Sequence, residues 1–251
     1  MTVRARIIGR VQCPKCRADL PDTDAECPRC GIIFAKYLER DDPVPRDILD
    51  QEPGGPAALL LGVESETSMA AAVGRGIFLL LLAVWTTTLV GGVSAERVNS
   101  SFMHLPNLVF HEAGHILFVP LGRFMTVLGG SLTQVLVPLV CAGAFLWQTR
   151  DAFGAAVAIW WAGESLIDVA PYINDARALQ MVLLGGKTGA EVEGHDWEYL
   201  LNAMGVAHKD HAIAAIVQAI GTLTMIAGLV WGATVVLNQI GILRSSRQTR
   251  L

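Results

Sequence analysis

Several stretches of this 251-residue chain are each apolar enough to cross a lipid bilayer, and nothing else in the sequence narrows its fold as much. A crossing takes about 20 residues of helix, because the hydrocarbon offers the backbone no partners and a helix satisfies its own. Stretches of that kind run approximately over 77–93, 102–121, 125–147, 152–170 and 212–237, and a shorter apolar patch at 178–184 reads as re-entrant or interfacial. Composition agrees: 52% of residues are hydrophobic and 17% charged, against about 25% charged in soluble chains. The expected fold is an all-α polytopic membrane protein with about four to six membrane-embedded helices over 70–243. A net charge of −4 without a basic face excludes nucleic acid as a partner.

The amino-terminal part has a different character. Cys13 and Cys16, then Cys27 and Cys30, form two C-x-x-C knuckles on either side of a short polar loop. Four thiolates so arranged can close a tetrahedral structural Zn²⁺ site, and a head this small has too little core to fold otherwise. Residues 11–38 resemble a zinc ribbon of the rubredoxin-like kind. A closed four-thiolate site leaves no open position, so its expected role is structure or docking of a cytoplasmic protein partner. Residues 39–69, rich in Pro, Gly and acids, read as a linker with a short helix near 57–63. With no signal peptide visible before the knuckles, the head is expected in the cytoplasm. Cys141 lies in an apolar span and reads as a packing residue.

Inside the second apolar stretch stands His111-Glu112-Ala113-Gly114-His115. Helical positions four apart share a face, so the two imidazoles can hold one Zn²⁺, with Glu112 beside them as general base toward water. Ionisable groups at membrane depth are costly, which favours a functional reading over a buried-histidine one. A catalytic zinc needs a third protein ligand and leaves the fourth position to water. Glu164, Asp168, Asp175, His195 and Asp196 are the candidates. Pro171 is expected to kink or end the helix that carries Glu164 and Asp168.

At this point the chain resembles the site-2 protease family of intramembrane metalloproteases, over about 104–177. That family pairs HExxH with a later Asn-x-x-Pro and Leu-Asp-Gly. Here Asp168-Val-Ala-Pro171 and Asn174-Asp175-Ala176 stand in those places, with Asp168 where the family has asparagine and Ala176 where it has glycine. The resemblance implies His111, His115 and Asp175 as zinc ligands and Glu112 as base, with Asp168 second choice as ligand. Glu164, Asn174 and His195 are the expected supporting groups around them.

The expected activity is zinc-dependent hydrolysis of a peptide bond in a transmembrane or juxtamembrane segment. A lipid or other amphiphile is the variant substrate. The competing class is a non-catalytic membrane protein with structural zinc sites or a metal-handling role. A fourth protein ligand, for example His195, would favour that class; an open position facing Glu112 would favour hydrolysis.

Overall fold

A computed structural model describes residues 10–13, 18–21, 25–34, 56–62 and 68–248. Cys16 and most of the expected linker lie outside the described residues. The chain divides into two compact units, Met1–Pro53 and Gly54–Leu251.

The first unit contains two short antiparallel strands, β1 (Arg10–Gln12) and β2 (Asp19–Pro21), with Val11 opposite Leu20. Each described knuckle end is a tight backbone turn. Cys13 N–H donates to Ala18 O at 2.9 Å, Cys27 N–H to Ile32 O at 2.9 Å, and Gly31 takes φ 68° to let the second turn close. Cys13, Cys27 and Leu20 form its small buried centre.

The second unit is helical. Its elements are α1 (Pro56–Leu61), α2 (Met69–Leu89), α3 (Ala95–Asn99), α4 (His104–Phe118), α5 (Arg123–Trp147), α6 (Ala152–Asn174), α7 (Asp196–Ala203) and α8 (Asp210–Gln248). The helix expected near 57–63 is α1. Side chains define several starts: Ser68 accepts from Ala71 N–H before α2, and Asp151 accepts from Phe153 and Gly154 N–H before α6. Pro171 does not end α6, which runs on to Asn174; Asp175 N–H closes the end on Pro171 O at 3.0 Å. Its missing N–H removes one bond of the ladder, and a helix packed on both sides absorbs that loss.

Four helices are long and apolar enough to cross a membrane: α2, α5, α6 and the stretch Ala207–Ser245 that contains most of α8. These mark a multi-pass membrane protein. The outward faces are apolar, with Leu80, Val140 and Leu223 all more than 60% exposed, while Gln134, Glu164, Ser165 and Asp168 are buried. That is the reverse of a water-soluble bundle.

Contacts fix the directions. Leu79 packs with Phe153, and Trp160 Nε1–H donates to Thr86 Oγ1 at 2.9 Å, so α2 and α6 run the same way. Gly163 meets Gly221 and Met225, Gly228 meets Trp160, and Ala142 packs with Ala155 and Ala158, so α8 and α5 run against α6. Arg75 donates to Gln239 Oε1 at 3.0 Å, bringing the start of α2 to the far end of α8. The crossings therefore alternate in direction.

The stretch 102–121 is not one of them. At 1.5 Å per residue the 15 residues of α4 reach about 22 Å, short of the ~30 Å core. Pro120 and Gly122, at φ 86°, then turn the chain back into α5. Glycines Gly114 and Gly129 let the α4 and α5 backbones touch, since a Cβ on either would meet the other's carbonyl oxygen. The HEAGH helix is thus a short hairpin arm at the end of the bundle where α6 finishes.

Candidate metal centre

On α4 the residues His104, Asn107, His111, Gly114 and His115 recur at three- and four-residue spacing and face α5 and α6. His104 Nδ1–H donates to Asp168 Oδ1 at 2.8 Å, and Asn107 Nδ2–H to Glu164 Oε2 at 2.8 Å. One turn on, His111 and His115 set their rings edge to face with centroids 4.9 Å apart.

Their Nε2 atoms converge on one acid, which is Asp196. Asp196 Oδ2 lies 2.9 Å from His111 Nε2 and 3.2 Å from His115 Nε2. One ligand atom from each of the three residues lies within 4.8 Å of the others. The opposite ring nitrogens are already committed. Gln134 donates through Nε2 to Asp168 Oδ2 at 2.5 Å, so its Oε1, 3.2 Å from His111 Nδ1, accepts from that ring. His115 Nδ1–H donates to Thr126 O at 2.9 Å.

That arrangement tests the fit to a metal. With both Nδ1 atoms carrying protons, two neutral imidazoles point two lone pairs at a carboxylate, which is repulsive. Either both rings carry a second proton and donate it to Asp196, or a cation lies among the three groups, whose ligand atoms are close enough together to share one. Gly130 of α5 gives both rings the room to take this arrangement, because a side chain there would run into each of them. The donor set of two imidazoles and one carboxylate suits Zn²⁺ with an open position.

Asp196 arrives from the segment that follows α6. It is the first residue of α7, His195 caps that helix by accepting Glu198 N–H on Nδ1 at 3.1 Å, and Tyr172 Oη accepts Asp196 N–H at 2.9 Å. Burial pushes the Asp196 carboxyl up, but with no ion present and both rings protonated at Nε2, their hydrogen bonds outweigh it and hold the pKa below the usual value. Burial lowers the pKa of His195, against the pull of Asp175 and Asp196.

The other expected residues fall as follows. Asp175 is not beside the two histidines; its carboxylate accepts from Gln180 and Met181 N–H at 2.9 and 2.8 Å and lies 3.4 Å from His195 Nε2, pinning the start of the loop. Asp168 is held by His104 and Gln134, so it braces His111 through Gln134. Glu164, 1% exposed, bonds Asn107 and no ligand histidine. Asn174 ends α6, half-buried. His195 faces Asp175 and Glu198 and does not join the group. Glu112 lines a cavity of about 630 Å³ together with His111, His115, Tyr172 and Asp196, and has no hydrogen-bond partner among the described residues. In the other unit Cys13, Cys27 and Cys30 gather their sulfurs within 4.8 Å, while Cys141 packs beside Ala142.

Sequence reasoning missed Gln134, Tyr172 and Gly130. A glutamine in the middle of an apolar span was a readable signal, since an amide at that depth needs partners. Tyr172 and Gly130 carry none of that kind.

No protein-family model, curated protein or solved structure matches the chain. The site stands on its own geometry.

Proposed function

We propose that the protein is a membrane-embedded zinc-dependent hydrolase, a metalloendopeptidase acting on transmembrane or juxtamembrane segments. The convergence of His111 Nε2, His115 Nε2 and Asp196 Oδ2, with both Nδ1 atoms tied back, is the observation that carries the reading. These three residues would hold the ion, in place of the set with Asp175. Zinc there would supply Lewis acidity toward a carbonyl oxygen and would acidify water. Among the described residues no fourth side chain joins the set, which favours hydrolysis over a closed structural site.

Glu112, on the cavity wall beside His111, would take the proton of the attacking water as its oxygen bonds to the carbonyl carbon. It would then return that proton to the amine nitrogen as the C–N bond breaks. Gln134 and Thr126 keep both imidazoles in the tautomer that presents Nε2. Substrate enters through the cavity that the loop 181–186 and Tyr172 border. The cysteine group, with Cys16 as fourth thiolate, is read as a structural zinc ribbon on the cytoplasmic side and a docking point for a cytoplasmic partner.

The test compares full-length wild type with Glu112→Gln in detergent, using labelled casein as a generic unfolded substrate. Cleavage should fall at least a hundredfold with zinc content unchanged. Equal cleavage at equal zinc rules out the base role. Loss of zinc in the variant would instead make Glu112 a ligand.

A further inference from the structure

The Tyr172 hydroxyl has a half-used hydrogen-bonding capacity. A phenol both accepts and donates. Its oxygen accepts Asp196 N–H at 2.9 Å, and its proton has no acceptor among the described residues. The ring is held between two others, tilted against His195 with centroids 4.3 Å apart and against His111 at 6.1 Å. The N–H that fixes the hydroxyl belongs to the residue whose Oδ2 faces both histidines, and four covalent bonds separate that nitrogen from that oxygen. Tyr172 lines the same cavity as Glu112, together with His111, His115 and Asp196.

Accepting Asp196 N–H at the start of α7 uses only the phenolic oxygen, and nothing in that task needs a phenolic proton. We infer that Tyr172 is a further catalytic residue, whose O–H donates a hydrogen bond to the substrate carbonyl oxygen as negative charge develops on it. Electrophilic help of this kind is a large part of acyl-transfer catalysis when the donor is fixed beforehand. No proton changes hands: Glu112 moves the water proton, and the phenol stabilises the oxygen. The inference rests on the hydrolase reading above and adds a residue to it.

The test uses the full-length protein in detergent, loaded with saturating Co²⁺, and follows only the cobalt absorption that His111→Ala abolishes. Acetohydroxamate, whose anionic oxygen stands in for the charged carbonyl oxygen, is titrated into wild type, Tyr172→Phe and protein carrying 3,5-difluorotyrosine at 172. Cobalt affinity should stay within about threefold in all three. Acetohydroxamate should bind Tyr172→Phe about tenfold more weakly, since a hydrogen bond to a charged oxygen is of that size, and bind the more acidic fluorinated phenol more tightly. Equal acetohydroxamate affinity across the series overturns the inference. So does a loss of cobalt affinity in Tyr172→Phe that accounts for all the weakening, which would make Tyr172 a positioning residue for Asp196. A wild type without the His111-dependent absorption refutes the metal centre itself, a failure distinct from the other two.

Discussion

Gly130 stands directly against His111: a Cβ at that position would lie 2.6 Å from His111 Nε2, and 2.7 Å from Nε2 of His115 as well. The α5 backbone is thus one wall of the site. Gly130→Ala should displace both rings and remove one zinc per chain by elemental analysis while leaving helix content by circular dichroism unchanged. Retention of full zinc would mean that the rings have room to move.

Gln134 couples two levels of the bundle, holding His111 on one side and Asp168 on the other. Replacing it with Leu frees His111 to rotate and leaves the Asp168 carboxylate short of a donor. Zinc affinity, measured by competition with a chromogenic chelator, should drop roughly 10- to 100-fold, the usual cost of losing such a partner. Gln134→Glu should not restore it, because a carboxylate still accepts from Nδ1 but puts a second negative charge against Asp168.

Three acids can be separated by the same measurement. Asp196→Ala should lower the zinc content by one ion per chain. Asp175→Asn should leave it intact, since this residue does not meet the two histidines and an amide oxygen can still receive one of the two loop N–H groups. Asp168→Asn should give an intermediate loss of affinity through Gln134. Full zinc in Asp196→Ala would return Asp175 to consideration.

The seam between α6 and α8 depends on close backbone approach. A Cβ on Gly163 would lie 2.6 Å from both Gly221 O and Met225 N, and backbone atoms cannot swing aside as a side-chain tip does. Gly163→Val should destabilise the bundle by about 1–3 kcal/mol, visible as a lower unfolding temperature in detergent.

Much of this molecule was readable from its residues because membrane helices announce themselves by length and apolarity. The spans α2, α5, α6 and α8 all overlap stretches found that way. His111 and His115 were readable because one helical turn separates them. Their partner was not: Asp196 comes 85 positions after His111, and no periodicity bridges a loop. Asp196 was one of five candidates, and the resemblance pointed to Asp175, whose place at the end of α6 gives it loop N–H groups instead. The early stop of α4 was hidden by apolar composition that continues through Leu117, Val119 and Leu121, where Pro120 and Gly122 decide the turn.

The acid that meets the two histidines comes from outside the four crossing helices, on a short helix reached through a loop of some twenty residues. A cation gripped there would act as a rivet between a surface flap and the hairpin arm beneath it. Stripping the ion would then do more than silence chemistry: it would remove the rivet and loosen the roof of the cavity.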